Sequence, residues 1–318
     1  MTDHCPRNIL QRVLALRSMF SKNKTYRHFE ERFRYLLDRR RAELEAGVVG
    51  EARCIALIGA SGCGKTTAAE QLFSSQPDLV IDQPETSRLD VASLQVPSPA
   101  TLKFVGQTTL MSLGFPLRRD RTAQTIWDMV KDHLRGRQTL FLHYDEAQDL
   151  SRHQTPKEMN AVVSTLKSLL QHKTWPVGLI LTGTPELKKM INHDSQLARR
   201  VYPIEYPQLN AALDTGRVCK LLSHYAEHAD LPLDSETPLP DLAQRLIHAA
   251  DREFGLLIEM LVSSLEEAMT ANCDMIRINH FAAMFRKRTG CIDGLNPFIV
   301  EDFERIDPRK LLGGDIQE

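Results

Sequence analysis

Short runs of apolar residues punctuate the first two thirds of the chain at Cys54–Ile58, Leu79–Ile81, Thr139–Tyr144, Val177–Thr182 and Pro203–Tyr206. Their apolar positions are nearly unbroken, which suits strands buried on both faces. The stretches between them repeat apolar residues every three to four positions. Together these patterns predict a parallel sheet covered by crossover helices on both faces. After Pro207 only helical periodicity remains, over 213–229, 239–250, 254–270 and 279–288. Ahead of the first run, one helix carries Ile9, Leu10, Val13, Leu14 and Leu16 on a single face. A second carries Phe29, Phe33, Leu36 and Leu37 and ends at Gly47 and Gly50. The expected fold is therefore α/β, a parallel sheet with helices on both faces, followed by a small C-terminal helical domain. From Gly290 onward the pattern is irregular. The string NPFIVEDF there alternates apolar and acidic residues and suits either docking on a partner or packing on the preceding helices.

The charge balance, 40 basic against 41 acidic residues, does not by itself call for a nucleic acid or a membrane. Its distribution is less even: residues 1–50 hold eleven Lys and Arg against six Asp and Glu, so the N-terminal region is locally basic. No stretch approaches the ~18 apolar residues of a spanning helix. The start, MTDHCPRNIL, lacks an apolar segment behind a basic one, which argues against secretion. Cysteines 5, 54, 63, 219, 273 and 291 show no metal-binding spacing. They suit reduced thiols in the cytoplasm.

The run Cys54–Ile58 leads directly into GASGCGKTT, Gly59 to Thr67, which satisfies the phosphate-loop pattern in its required context between a buried strand and a helix. In such a loop Gly59, Gly62 and Gly64 let the backbone curl, and successive N–H groups face phosphate oxygens. The helix that follows points its positive end at the same anion. Lys65 supplies a charge to the terminal phosphates and Thr66 a hydroxyl to Mg²⁺. Ser61, Cys63 and Thr67 contribute to the cradle. About eighty residues later the run Thr139–Tyr144 ends in Asp145-Glu146. Two carboxylates at the end of a buried strand are costly unless employed. Asp145 suits a Mg²⁺ partner and Glu146 the group that polarises an attacking water. With no guanine-reading NKxD string, the nucleotide expected is ATP.

Two further positions complete this expectation. Thr182 ends the run that should lie beside the phosphate-loop strand, and suits a sensor of the γ-phosphate. Arg199 and Arg200 stand one element before the last strand, where ring-forming ATPases present a finger to a neighbour's nucleotide. Arg200 is the first choice and Arg199 the second. The chain then divides into a basic helical region, 1–50, an α/β nucleotide-binding domain, 51–209, a helical lid, 210–290, and a tail, 291–318.

With GASGCGKTT, LFLHYDEAQ, LILTGTPEL, QLARRV and DREFGLLIEMLVSSLEEA in this order, the chain resembles an AAA+ ATPase of the TniB/TnsC transposition-regulator family, relatives of the phage Mu B protein. The resemblance covers roughly residues 25–290. It implies an Mg²⁺-dependent ATPase that assembles as a ring or helical filament on duplex DNA, without sequence preference, and recruits or activates a transposase alongside a targeting protein. It also implies DNA contacts in the segments after the second strand and after Asp145-Glu146, here Thr101 and Lys103, and Arg152 and Lys157. One departure is plain. A cation is expected just after Gly255, yet Leu256-Leu257 stands there and Arg252 is the nearest, which points to slow or partner-dependent hydrolysis. An ATPase of secretion or helicase loading, and a nucleotide-gated scaffold with little turnover, are the competing expectations.

Overall fold

A computed structural model describes residues 6–81, 87–152 and 155–309. The chain falls into two compact units. One comprises 22–60 and 65–206; the other comprises 61–64, 207–309 and the described residues up to 21.

The first unit begins with helix α2 (Lys24–Glu45), which follows α1 (Pro6–Ser18) in the chain. Its strands are β1 (Cys54–Ile58), β2 (Val91–Gln95), β3 (Phe141–Asp145), β4 (Gly178–Gly183) and β5 (Val201–Glu205). Between them run α3 (Lys65–Ser74), α4 (Leu102–Ser112), α5 (Ala123–Gly136), α6 (Pro156–Leu170), α7 (Leu187–Asn192) and the short α8 (Ser195–Ala198). All strand pairs are parallel, in the order β2-β3-β4-β1-β5. The central strands β1 and β4 are buried along their whole length, as unbroken apolar runs require. Phe29 and Phe33 of α2 are fully buried, and Phe33 lies 5.1 Å from the ring of Phe141.

The expected strand Leu79–Ile81 is not one; the second strand is Val91–Gln95. Val80 instead exchanges hydrogen bonds with Asp90 just ahead of β2, its N–H going to the carboxylate and its carbonyl accepting from the Asp90 N–H. As an edge strand, β2 exposes Ser93 and Gln95. Its polar positions hid it from a search for continuous apolar runs.

The second unit is built on α1 and the helices α9 (Ala211–His228), α10 (Leu239–Ala249), α11 (Phe254–Thr270) and α12 (Ile278–Thr289). Val13 and Leu16 of α1 are buried in it, and Tyr225 donates to the carbonyl of Met19. The N-terminal region taken as one piece, 1–50, is thus divided: α1 packs among the helices of the second unit and α2 against the sheet. The single apolar face expected for α1 also divides, since Leu10 and Leu14 remain exposed.

The segment after Gly290 packs on the same helices. Phe298 is buried against Phe281 and Phe285, the Asn296 side chain donates to the carbonyl of Ala282, and Arg245 donates to the carbonyls of Pro297 and Val300. Of the two readings of NPFIVEDF, the packed one describes the chain through Arg309. No disulfide joins the five described cysteines. Among the described residues no helix is long and apolar enough to cross a membrane.

Candidate nucleotide site

Strand β1 ends at Ile58 and the chain turns at once: the Gly59 N–H donates to the Gly183 carbonyl at 3.1 Å, and Gly62 and Gly64 take φ of +83° and +97°. Any side chain at those two positions would be strained. Lys65 opens α3 and is buried. Its ammonium donates to the carbonyls of Gly59 and Ala60, both at 2.9 Å. Phosphate oxygens are stronger acceptors for such a donor than neutral carbonyls.

Thr66 Oγ1 donates to Asp145 Oδ2 at 2.7 Å. The other carboxylate oxygen accepts from the Thr182 hydroxyl and, at 3.0 Å, from the Glu146 N–H. The topology makes this meeting necessary. β3 pairs with β4 and β4 with β1, in a register that sets Tyr144 beside Leu181 and Leu57 beside Thr182, so all three strands end at one edge. A hydroxyl and a carboxylate oxygen side by side are a hard donor set. Mg²⁺ takes such a set when substrate phosphates and waters complete its octahedron, so Thr66 and Asp145 fit the ion. Among the described residues no cluster of three or more His, Cys, Asp or Glu side chains is placed to hold a metal alone.

Glu146 has φ +53°, a left-handed conformation rare for a residue with a side chain, and strain of this kind concentrates at functional positions. Its Oε2 accepts from the Gln148 side-chain amide at 2.6 Å, and the amide oxygen of Gln148 accepts from the Thr184 N–H at 3.0 Å. Gln148 does not stand out in the sequence. A polar residue that is buried just past a pair of carboxylates is the signal that could have found it. The same holds for His143, in the middle of β3: its Nδ1 lies 2.7 Å from Ser93 Oγ and its Nε2 3.0 Å from Thr182 Oγ1. Burial pushes this imidazole down to about 4, against the opposing pull of Asp145. Thr182 is fully buried, with its hydroxyl committed to Asp145 and His143. In this state it orients the carboxylate rather than meeting a phosphate itself.

The two arginines differ. Arg200, the first choice for a finger, pairs with Glu51 at 3.0 Å and donates to the Gln196 carbonyl, whereas Arg199 is exposed. Of the two, Arg199 is the more exposed. The Cys54 N–H donates to the Arg200 carbonyl, so both arginines flank the start of β1 while the phosphate loop follows its end. At about 3.3 Å per residue, the five-residue strand separates them by roughly 13 Å.

In the helical unit, which includes residues 61–64, the Leu256 N–H donates to the Gly62 carbonyl at 2.8 Å. A Cβ on Gly255 would lie 2.6 Å from that carbonyl oxygen and 2.9 Å from the Gly64 nitrogen. The helical unit thus meets residues 62–64 through main chain, and Leu256 stands where a cation was expected.

Of the segments expected to meet DNA, Thr101 caps α4, its hydroxyl accepting from the Phe104 N–H. Lys103 pairs with Asp120, and Arg152 with Asp149 and Glu186. Lys157 is exposed in the first turn of α6. The pairing of Gln95 with Asp145 brings both segments out at the same edge of the sheet, and α4 packs on α6. His153 and Gln154 lie outside the described residues.

The family model of the bacterial TniB protein matches residues 17–211, and the chain belongs to that family. No curated protein matches it. Its fold, the AAA+ phosphate-loop fold, is shared by solved structures, among them the following three. The ORC2 protein of Aeropyrum pernix, in ADPNP-ADP complexes, is 16% identical with a TM-score of 0.58, covering 83% of this chain and 68% of its own. Cdc6p of Pyrobaculum aerophilum is 16% identical with a TM-score of 0.61, covering 85% and 69%. The ORC1 protein of Aeropyrum pernix, in complex with DNA, is 13% identical with a TM-score of 0.57, covering 83% and 64%.

Proposed function

We propose that this TniB-family chain is a cytoplasmic, Mg²⁺-dependent ATPase that assembles on duplex DNA as a ring or filament and there recruits or activates a transposase, with a targeting protein as a further partner. The observation that carries the reading is the convergence of Thr66, Asp145, Glu146 and Thr182 at the strand ends beside the loop Gly59–Thr67. Gly59, Ser61, Gly62, Cys63, Gly64, Lys65, Thr66 and Thr67 hold ATP. Lys65 exchanges its carbonyl partners for phosphate oxygens, and Thr66 and Asp145 hold Mg²⁺. Held there, the ion would neutralise charge that develops on the phosphates. Thr182 keeps the Asp145 carboxylate in place. Glu146, released by Gln148, accepts the proton of the attacking water. Arg199, with Arg200 as the alternative, acts on the nucleotide of an adjacent subunit. The same reading assigns 51–209 to nucleotide chemistry and 210–290 to a lid.

DNA binding draws support from the family and from the fold shared with a protein solved on DNA. With few free cations per subunit, binding to phosphates becomes strong only when an assembly multiplies it, and no base-reading element is needed. The second reading, a nucleotide-gated scaffold with little turnover, is favoured by one observation, the main-chain hydrogen bond of Leu256 in place of a cation. ATP turnover measured with and without duplex DNA, alongside electron microscopy of the same samples, separates the two. Turnover with DNA-bound rings or filaments is expected; assemblies without turnover favour the scaffold, and absence of both overturns the proposal.

A further inference from the structure

We propose that His143 is a positioning residue: it donates from Nε2–H to the Thr182 hydroxyl, so that the Thr182 proton is directed onto Asp145 and the carboxylate is held in one orientation for Mg²⁺. This inference rests on the ATPase reading for its effect on turnover, but not for the hydrogen bonds themselves.

The direction of each bond follows from counting protons. The Asp145 carboxylate can only accept, so between the two the Thr182 hydroxyl donates. The Tyr144 carbonyl, a further acceptor for that hydroxyl, lies at the longer distance of 3.5 Å. A hydroxyl has one proton, so toward His143 it must accept, and the Nε2 nitrogen 3.0 Å away must carry the hydrogen. With the hydrogen placed on Nε2, Nδ1 is the acceptor of the ring, and 2.7 Å away it takes the proton of the Ser93 hydroxyl. The donations then run one way, from Ser93 of β2 through His143 of β3 and Thr182 of β4 to Asp145. Chains of aligned hydrogen bonds in a low-dielectric interior reinforce one another.

Burial alone gives no reason for an imidazole here. The neighbours Leu142 and Tyr144 are buried as well, and the ring of Phe73 meets His143 edge-on at 5.3 Å. An apolar side chain would fill this place without needing partners. What the imidazole adds is a rigid, fully satisfied link between the outermost strand and the metal-binding carboxylate. Partners one step removed from a metal ligand set its orientation in this way.

The test compares His143→Leu, His143→Gln and Thr182→Val in the full chain. His143→Leu should keep its melting temperature and its affinity for ATP while kcat falls roughly 10–100-fold, the range typical when an outer partner of a metal ligand is removed. His143→Gln, whose amide can place a donor near the Nε2 position, should recover much of it. Adding His143→Leu to Thr182→Val should cost nothing further, because the link is already cut. Independent of turnover, ¹⁵N-histidine spectra should show His143 as the Nε2–H tautomer, with a signal that shifts in Thr182→Val. Full kcat in His143→Leu, or additive effects in the double variant, would overturn the proposal. Should the wild type hydrolyse no ATP, the ATPase reading fails on its own. The spectra still decide this one: an Nδ1–H tautomer, or a signal indifferent to Thr182→Val, sinks it.

Discussion

The two ends of the sheet carry opposite chemistry. Where the strands finish, Asp145 and Glu146 stand among hydroxyls and amides. Where they begin, Arg200 pairs with Glu51, Arg53 donates to the carbonyl of Arg199, and Arg40 lies buried over the ring of Trp175. Glu51 is held below the usual carboxylate range by hydrogen bonds from Gln171 and then Arg200. Burial pushes Arg40 down, against the opposing effect of Glu43. In the proposed reading one end receives a polyanion and the other presents Arg199. A strand of five residues keeps them apart, so one subunit cannot bring its own two ends together. The proposed finger therefore acts on the nucleotide of a neighbour, and the proposal requires assembly.

Breaking the receiving end should have the largest effect. Lys65→Ala removes the buried ammonium and leaves the terminal phosphates without their nearest charge. Labelled-nucleotide binding should weaken on the order of a hundredfold or more, with DNA-dependent assembly abolished as well. Unchanged ATP affinity would show that the loop is not the site.

The presenting end comes next. Arg199→Ala should lower kcat about 10³-fold on DNA while ATP affinity is kept, since a finger acts on the transition state. Arg200→Ala should do less, because that guanidinium is engaged with Glu51. Mixing Arg199→Ala with Lys65→Ala should restore part of the turnover. Junctions form in which an intact Arg199 from one variant meets an intact loop from the other. A flat, inactive profile across all mixing ratios would place the two ends' chemistry within one chain, against the geometry of β1.

Glu146→Gln sharpens the receiving end into two functions. Nucleotide and DNA should still bind, while turnover falls roughly 10²–10⁴-fold because proton acceptance fails. DNA complexes formed with ATP should outlive those of the wild type. Wild-type turnover in this variant would remove Glu146 from the reaction.

How much of this was legible in the sequence follows the same division. The receiving end demands fixed geometry, and fixed geometry needs particular residues at particular spacings, so GASGCGKTT and the Asp145-Glu146 pair were readable. The helices after Pro207 were readable too, because each buries one stripe at a constant period. The partners that hold the motif residues were not. Ser93 sits on an edge strand whose polar positions broke the apolar run, and His143 and Gln148 belong to the site only through hydrogen bonds between strands and turns that spacing does not encode. That Arg200 is engaged depends on Glu51, about 150 residues away, which only the fold brings near.

The smallest effect belongs to DNA, where the cations are few and mostly committed. Lys103 already neutralises Asp120, and Arg152 lies between Asp149 and Glu186, so each offers a phosphate only what remains after its own pairing. Lys157 is different: it is exposed behind Pro156, and the first turn of α6 adds the helix's positive end to its charge. Lys157→Ala should therefore weaken binding to duplexes of any sequence by a similar small factor, and lower the slope of log affinity against log salt by about 0.9 for each phosphate no longer neutralised. Arg152→Ala should alter that slope less, because its counter-ions are carboxylates of the protein. Salt titrations of both variants on two unrelated duplexes measure this. Weakening that differs between the duplexes would mean that Lys157 reads bases, and an unchanged slope would place the DNA away from the edge where β2 and β3 end.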